Sequence, residues 1–272
     1  MDLSFLFWNT NNKKCLDQID NLVRLYNIDI IVLVENNASQ SEILLKLNEV
    51  ETNFHPQHPY SLCDKVKIIT RFNYEFISPI MESSRVTARR LTLPGFDKIN
   101  LIGLHYGDKG NFSNESQSEM ASELKDFIET IELNEDHTRT ILLGDFNMNP
   151  FEIGIIKANG IHGTMSQTIA KKSSRTIQGK DYSYFYNPMW SLFGDLNNEP
   201  SGTYYYNRSE LINYQWNIFD QVLLRPVLID NFDRQSIQIL LGDGKKKFVT
   251  RSGIPNRQLY SDHLPIKFKL IL

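Results

Sequence analysis

The sequence predicts a layered α/β sandwich, with β-sheets inside and helices outside. Two observations predict it: strand-like segments outnumber helix-like ones, and the helical segments occur between the strands. The chain has 272 residues, of which 41% are hydrophobic and 22% charged, so it can bury a sizeable core. No internal repeat and no obvious linker interrupts it, and we therefore expect a single domain spanning residues 1–272.

Several apolar segments have the composition of buried strands. Apolar, often β-branched residues run through them almost without interruption, which is typical of strands covered on both faces. The segments are residues 3–8, 29–34, 66–70, 85–93, 99–104, 140–143, 218–224 and 265–272. The polar residues 9–12 after the first segment predict a loop.

Helical spacing of apolar residues predicts helices over residues 16–26 and 43–50 and a long amphipathic helix around residues 120–131. Residues 160–216 differ, because one part is polar and basic and the rest is rich in aromatic residues. We predict that they form a loop-rich insertion beside the sheet ends.

Charge and cysteine usage exclude several classes of protein. The net charge of −3 gives no positive field over the whole molecule, so any contact with nucleic acid must come from local patches. Two isolated cysteines, Cys15 and Cys63, form neither a disulfide framework nor a zinc site. We see no secretion signal and no apolar run of the roughly 20 residues that a membrane span needs, so we expect a cytoplasmic protein without a span.

Polar side chains with catalytic potential occur at the ends of the predicted strands. They are Asn9, Glu35, His105, Asp145 with Asn147, Asp220, and Asp262 with His263. Taken singly, such residues are most often turn formers, solvated loop residues or structural histidines. Because strand ends can present side chains to one cleft, their recurrence predicts a common site.

The carboxylates in this set predict a divalent cation. Hard oxygen ligands suit Mg²⁺ or Mn²⁺, and phosphoryl transfer uses such an ion to neutralise phosphate charge. Asp220 is flanked by apolar residues, and a buried carboxylate requires a cation, a histidine or a metal nearby.

The motifs Gly144-Asp145-Phe146-Asn147 and Ser261-Asp262-His263 resemble those of the endonuclease/exonuclease/phosphatase (DNase-I-like) superfamily. Four further segments resemble family motifs in the same order along the chain. They are Trp8-Asn9-Thr10-Asn11, Leu33-Val34-Glu35, Leu104-His105 and Ile218-Phe219-Asp220-Gln221-Val222-Leu223. The resemblance implies a four-layer α/β/β/α sandwich with two packed mixed β-sheets. It also implies a metal site, with Glu35 as the principal Mg²⁺ ligand and with Asn9 and Asp262 nearby; Mn²⁺ is the alternative ion.

The resemblance also implies catalytic roles. Asp145 would orient or deprotonate the attacking water, and Asn147 would steady that water and the phosphate. His263 would contact the scissile phosphate, while Asp220 fixes its tautomer and charge. His105 would donate a hydrogen bond to a phosphate oxygen.

The sequence lacks motifs that are typical of two branches of the family, which narrows the range of activities that we expect. Leu142 stands where inositol phosphatases carry a tryptophan, and Met148-Asn149 replaces their aromatic-arginine pair, which argues against a dedicated 5-phosphatase. His105 replaces the tyrosine-rich third motif of abasic-site enzymes. Pro150 after the Asp145 motif resembles the branch of nucleases, deadenylases and sphingomyelinases.

We predict a nuclease acting on DNA or RNA. Asn11 in the first motif, Arg71 at a strand end, the basic Lys171 and Lys172, and the aromatic Trp190 are the predicted substrate contacts. The alternative for the aromatic residues is a small satellite core within the insertion. The alternative functions are a phosphatase or phosphodiesterase for a small molecule or lipid head group, and a catalytically inactive binding module.

Overall fold

The computed structural model describes residues 1–50, 61–196, 200–209 and 211–272. Its strands are β1 (Asp2–Lys13), β2 (Ile30–Asn36), β3 (Val66–Thr70), β4 (Ile77–Glu82), β5 (Val86–Leu91), β6 (Ile99–His105), β7 (Thr140–Asp145), β8 (Gly163–Thr164), β9 (Ser174–Ile177), β10 (Lys180–Ser183), β11 (Phe185–Tyr186), β12 (Tyr204–Tyr205), β13 (Trp216–Asn217), β14 (Asp220–Leu224), β15 (Phe232–Ile239) and β16 (Ile266–Ile271). Its α-helices are α1 (Leu16–Tyr26), α2 (Gln40–Leu47), α3 (Asn114–Glu135), α4 (Ile153–Ile156) and α5 (Gln167–Ala170).

Two mixed β-sheets form the centre of the fold. The first has the strand order β15-β16-β1-β2-β3, in which only β1 and β2 are parallel neighbours among the described residues. The second has the order β4-β5-β6-β7-β14-β11-β8, with β6 parallel to β7 and β11 parallel to β8.

The two sheets pack face to face around the main hydrophobic core. Phe5 and Phe268 of the first sheet stack at a centroid distance of 4.5 Å within it. From the second sheet, Leu143 and Val222 are fully buried in the same core. Alternate residues of each strand therefore point between the sheets.

The helices cover the outer faces of the two sheets. Leu22 of α1 and Ile43 of α2 pack on the outer face of the first sheet. Leu124 and Ile128 of α3 pack on the outer face of the second sheet. The result is the predicted four-layer α/β/β/α sandwich, and the predicted fold class is confirmed.

The strand ends that carry the predicted site residues meet at one edge of the sandwich. Asp145 at the end of β7 is paired with His105 at the end of β6 and with Asp220 at the start of β14. Asn9 and Glu35 of the first sheet contact Asp145 and His105, respectively. We call this edge the active-site edge.

Several details differ from the sequence-based expectations. The predicted loop at residues 9–12 is part of β1, although the strand is irregular there. The sequence did not predict β4 and β15, since β4 contains a proline and β15 has a polar, exposed middle. The predicted insertion contributes β8 and β11 to the second sheet; its residues 197–199 and 210 lie outside the described residues. No described helix is long and apolar enough to cross a bilayer.

Candidate active site

A buried carboxylate–imidazole cluster lies at the active-site edge. Nδ1 of His263 is 2.9 Å and 3.1 Å from the two carboxylate oxygens of Asp220 and donates to them. Nε2 of His263 faces Oδ2 of Asp145 at 3.9 Å. All three residues are buried, and Asp220 has no exposed surface.

Burial and the neighbouring carboxylates shift the pKa of His263 in opposite directions. Burial alone would lower the pKa of the imidazole, but the carboxylates of Asp220 and Asp145 outweigh it and raise the pKa to about 10. The two carboxylates therefore favour the protonated imidazole, with Asp220 holding Nδ1 and with Nε2 directed toward Asp145.

Hydroxyl groups and an indole hold the His263–Asp220 pair in place. Oγ1 of Thr203 accepts a hydrogen bond from the backbone N–H of Asp220 at 3.3 Å. Oγ of Ser261 accepts from the backbone N–H of His263 at 3.0 Å. Nε1 of Trp8 donates to the carbonyl of His263 at 3.0 Å, which ties the imidazole to the first sheet.

Asp145 is fixed by two donors, one from each side of its carboxylate. Nδ2 of Asn9 donates to Oδ2 at 2.9 Å, and the backbone N–H of Asn147 donates to Oδ1 at 2.8 Å. Asn147 has a left-handed backbone, with φ 51°, and its amide donates to the carbonyl of Tyr106. A short left-handed turn thus presents the Asp145 carboxylate to the cluster.

Glu35 reaches the site because its backbone breaks the alternation of β2. Val34 faces the core between the sheets and Leu33 faces the helices, so regular alternation would direct Glu35 outward. Its backbone is left-handed instead, with φ 46°, and Oε1 lies 3.1 Å from Nε2 of His105 on the opposite sheet. The hydrogen bond to His105 lowers the pKa of Glu35, so the side chain is a carboxylate.

The structure brings the two halves of the predicted site together. Asn9 of the first sheet hydrogen-bonds Asp145 of the second, and Glu35 of the first sheet pairs with His105 of the second. Asp262 is half-buried next to His263 in the chain. The predicted catalytic and metal-binding residues assembled here are Asn9, Glu35, His105, Asp145, Asn147, Asp220, Asp262 and His263. Their individual roles remain predictions.

The buried cluster can bind a metal ion. Asp145, Asp220 and His263 each offer a ligand atom, and these atoms lie within 4.8 Å of one another. Among the described residues Glu35 is not part of that group, so its role as a metal ligand stays a prediction. Two carboxylates in a buried site suit a hard divalent cation.

Arg71 lies away from the active-site edge, and its predicted contact with substrate stays a prediction. β3 runs antiparallel to β2, and Thr70 pairs with Ile30 at the start of β2. Arg71 follows Thr70 and therefore lies beside the start of β2, whereas Glu35 lies near its end. Its guanidinium donates to the side chain of Asn27 at 2.8 Å. Five residues of strand, about 17 Å, separate the two ends.

Lys171 and Lys172 also lie away from the active-site edge, and their predicted contacts with substrate stay predictions. Lys171 forms an ion pair with Asp230. Asp230 lies beyond Leu224, which ends β14 on the side opposite Asp220. It also precedes β15, whose first residue, Phe232, pairs with Leu270 of β16. Leu270 in turn pairs with Leu3 at the start of β1. Both lysines follow α5 and are exposed at the edge opposite the site.

Trp190 and Asn11 lie closer to the active-site edge, and their predicted contacts with substrate remain predictions. Trp190 packs edge-on against Phe151, with ring centroids 6.2 Å apart, and Phe151 also contacts Phe193 and Tyr214. This is the satellite core that was the alternative for these aromatic residues. The backbone N–H of Asn11 donates to the Asn9 side chain.

The sequence analysis missed an aromatic face beside His263. The ring of Tyr204 lies 4.6 Å from the imidazole and stacks on Phe219 at 5.2 Å. Tyr206 stacks on Tyr204 at 6.2 Å, and the guanidinium of Arg208 lies 5.0 Å from the Tyr206 ring. The three consecutive tyrosines at residues 204–206 are visible in the sequence. Only the structure shows that one of them, Tyr204, lies against His263.

The fold and the site together define a class of protein. Two packed sheets carry a buried Asp–Asp–His cluster on their strand ends, next to a glutamate–histidine pair. Such a centre can bind a divalent cation, activate a water and donate to an anionic oxygen, as hydrolysis of phosphate esters requires.

The model of the Endonuclease/Exonuclease/phosphatase family matches residues 6–263, and the chain belongs to this family. It is a hydrolase that acts on phosphoester bonds. No curated protein is significantly similar in sequence.

Solved structures of similar fold cover nearly the whole chain. Truncated Caenorhabditis elegans TDP2 has a TM-score of 0.56 and 14% identity, covering 100% of this chain and 98% of that one. D. rerio TDP2 complexed with single strand DNA product has a TM-score of 0.54 and 15% identity, covering 100% and 99%. An AP endonuclease from Archaeoglobus fulgidus has a TM-score of 0.58 and 13% identity, covering 99% and 100%. At these identities the likeness concerns the fold.

Proposed function

We propose that this protein is a Mg²⁺-dependent phosphodiesterase that hydrolyses phosphodiester bonds in DNA or RNA. The observation that carries the proposal is the buried cluster of Asp145, Asp220 and His263, with Asn9 hydrogen-bonded to Asp145 and Glu35 paired with His105 beside it. In this cluster Nε2 of His263 faces Oδ2 of Asp145 at 3.9 Å.

The protein's own residues divide the work of hydrolysis. His263, held by Asp220, donates from Nε2 to a non-bridging phosphate oxygen and stabilises the charge that develops there. Asp145, oriented by Asn9 and Asn147, accepts a proton from the attacking water. The water oxygen forms a bond to phosphorus, the ester bond breaks, and the leaving oxygen takes a proton from solvent.

Glu35 is the residue that we propose as the principal ligand of the ion, with Asn9 and Asp262 beside it. A bound Mg²⁺ supplies positive charge that neutralises the phosphate and the transition state. Both oxygens of Asp220 are already within hydrogen-bonding distance of His263, which leaves Asp220 less able to serve as a ligand.

The surface beside the cluster favours a nucleic acid as substrate. Tyr204 and Tyr206 present aromatic surface next to His263, and Arg208 adds a cation. Bases stack on aromatic side chains, and arginine binds phosphate. The D. rerio TDP2 structure, which shares the fold, contains a single strand DNA product. A phosphatase or phosphodiesterase for a small molecule or lipid head group is the second candidate.

Hydrolysis of bis-p-nitrophenyl phosphate with Mg²⁺ tests the chemistry. We expect Asp145→Asn to lower kcat on the order of 10² to 10⁴-fold, because the acceptor for the water proton is lost. Glu35→Ala and His263→Ala should be similarly impaired, whereas Asp230→Ala, at the opposite edge, should keep full activity. Unimpaired turnover in both Glu35→Ala and His263→Ala would remove this site assignment.

A substrate panel tests the choice of ester. Single- and double-stranded DNA, RNA, cyclic dinucleotides, phosphoinositides and sphingomyelin would be compared at equal concentration with Mg²⁺. We expect the highest kcat/KM with a polynucleotide. A higher value with a phosphoinositide or with sphingomyelin would favour the second candidate.

A further inference from the structure

A cavity of about 250 Å³ lies between β3, the edge strand of the first sheet, and the strands β4 and β5 of the second. The two sheets line it with Val66, Lys67, Ile68 and Ile69 of β3, Ile77 of β4 and Arg89 of β5. Arg89 pairs with Leu101, four residues before His105 on β6, so Arg89 lies about 13 Å along the sheet from the catalytic cluster. The cavity therefore belongs to a different part of the interface between the sheets.

Arg89 is a buried cation on the wall of this cavity. Val86 and Ala88 pack beneath α3, so strand alternation directs Arg89 between the sheets, and only 8% of the residue is exposed. Within the described residues its side chain makes one hydrogen bond, from Nη2 to Oε1 of Glu82 at 2.6 Å. A guanidinium has five N–H groups, so most of its donor capacity is left for a ligand.

Glu82 is already occupied by four donors. Besides Arg89, Oγ of Ser61 donates to Oε1 at 2.6 Å and Oγ1 of Thr87 donates to it at 2.7 Å. The backbone N–H of Leu62 donates to Oε2 at 2.6 Å. Burial lowers the pKa of Arg89 although the charge of Glu82 opposes this effect, so the carboxylate compensates the guanidinium only in part.

Lys67 brings a second cation to the lining. Its ammonium donates to the carbonyl of Asn36, and burial lowers its pKa. In the part of the chain that the structure describes, no carboxylate lies within ion-pair distance of Lys67. Asp64 is also on the lining, but it is exposed and its charge is screened by solvent. An anionic group in the cavity therefore offsets charge on two cations.

The rest of the lining is largely apolar and selects the body of the ligand. Val66 and Ile77 are part of the main core, and Ile68 packs against it. An apolar cavity of about 150 Å³ holds benzene, so one of about 250 Å³ has room for a small ring that carries a carboxylate. Apolar walls disfavour a strongly hydrated ion such as inorganic phosphate.

We propose that this cavity binds a small monocarboxylic acid with an apolar body. The carboxylate lies against Arg89 and Lys67, and the apolar body lies against β3 and β4. A bound acid contacts both sheets and joins them. The proposal does not involve the catalytic residues, so its failure leaves the proposed hydrolysis untouched.

Isothermal titration calorimetry with benzoate, benzamide and inorganic phosphate tests the proposal. EDTA is present throughout, so no ion at the active-site edge can hold the carboxylate. Benzoate should bind about tenfold more tightly than benzamide, which has a similar shape without the charge, and than phosphate, which lacks the apolar body. Equal affinities for benzoate and benzamide, or tighter binding of phosphate, would overturn the proposal.

Variants of the two cations test which side chains hold the carboxylate. Lys67→Met should weaken benzoate binding about tenfold and leave benzamide binding unchanged. The matched control is Lys65→Met, an exposed lysine outside the lining, which should change neither affinity. Glu82→Gln with Arg89→Met leaves no unpaired charge in the interior, and benzoate should then bind no better than benzamide. Undiminished preference for benzoate in both cavity variants would remove the assignment.

The thiol of Cys63 locates the ligand without a change to either cation. Cys63 is on the lining and 2% exposed, and in the Cys15→Ser variant it is the remaining thiol. Benzoate at about ten times its Kd should slow the reaction of Cys63 with N-ethylmaleimide about tenfold, because the bound form must first lose its ligand. An unchanged rate with benzoate bound would place the acid elsewhere and overturn the site, whether or not the Glu82 and Arg89 double variant folds.

Discussion

At the scale of single residues, the site depends on backbone conformations that side chains rarely adopt. Glu35 and Asn147 both have left-handed φ values, as do Asn11 and Asn12 beside them. Asparagine tolerates this region, but glutamate seldom occupies it. The tertiary contacts of Glu35, above all with His105, hold it there. The sequence revealed which residues end the strands, but it gave no sign that Glu35 turns inward.

Thr203 is a positioning residue for the catalytic pair, and its hydroxyl can be tested alone. It is fully buried, and its Oγ1 accepts from the backbone N–H of Asp220 at 3.3 Å. Thr203→Val keeps the shape and removes the hydroxyl, so we expect kcat for bis-p-nitrophenyl phosphate to fall about tenfold, corresponding to one lost hydrogen bond of roughly 1.4 kcal/mol.

The matched control is Thr203→Ser, which retains the hydroxyl and should recover most of the turnover. KM should change little in either variant, because Asp220 acts through His263. An equal loss in Thr203→Ser and Thr203→Val would assign Thr203 a role in packing only.

His162 gives a prediction about pH and stability. The residue is buried, its ring stacks on Tyr184 at 4.1 Å, and burial, followed by the charges of Arg175 and Arg225, lowers its pKa. The unfolded chain, with a histidine pKa of about 6.5, therefore binds the proton more readily than the folded protein. His162 should add no pH dependence well above pH 6.5, and it should destabilise the fold as the pH falls below that value.

The test compares urea unfolding at pH 7.5 and pH 5.5 for the parent protein and His162→Asn. Asparagine suits the left-handed backbone of this position, with φ 56°, and cannot titrate. The parent should lose more stability between the two pH values than the variant loses. Equal losses would show that His162 does not contribute to the acid sensitivity.

At the scale of elements, hydrophobic patterns predicted the strands that carry the chemistry. β2, β6 and β7 are buried on both faces, so their sequences read as continuous apolar runs. β15 escaped prediction because its middle residues are exposed. A pattern locates a strand end without showing at which edge of the sandwich it lies. For that reason the sequence did not show that Asp145 and Arg71 lie at opposite edges.

A buried ion pair connects α3 to β14. Arg225 donates from Nε and Nη2 to the two carboxylate oxygens of Glu132 at 2.8 Å and 2.9 Å, and both side chains are less than one-tenth exposed. Glu132→Ala leaves a buried guanidinium without its partner, so we expect the free energy of unfolding to fall by about 3 kcal/mol in urea titrations.

Two further variants show whether the loss of stability in Glu132→Ala comes from the unpaired buried charge. The double variant Glu132→Leu with Arg225→Met should recover most of the stability, because no charge is left unpaired in the interior. Asp230→Ala, which removes the exposed pair with Lys171, should cost less than about 1 kcal/mol. A loss as small as that in Glu132→Ala would mean that the guanidinium finds another partner.

At the scale of the whole molecule, the site exists only when the two sheets pack together. The first sheet supplies Asn9 and Glu35, and the second supplies His105, Asp145 and Asp220. Sequence motifs far apart in the chain predicted these residues but not their contacts, since the contacts depend on how one sheet lies on the other. The concentration of carboxylates at this junction opposes packing unless a cation neutralises it.

Magnesium should therefore stabilise the folded protein, and the residues that bind it can be identified from that effect. Thermal unfolding with EDTA and with Mg²⁺ at a hundredfold excess over its Kd should differ by about 2.7 kcal/mol in stability. EDTA should also abolish hydrolysis, and Mg²⁺ should restore it. If Glu35 is a ligand, Glu35→Gln should lose most of the Mg²⁺-dependent rise in Tm, whereas Asp220→Asn, measured against its own metal-free Tm, should keep it. The reverse result would mean that the ion binds among Asp145, Asp220 and His263, displacing His263 from Asp220 and leaving Glu35 as the partner of His105 alone.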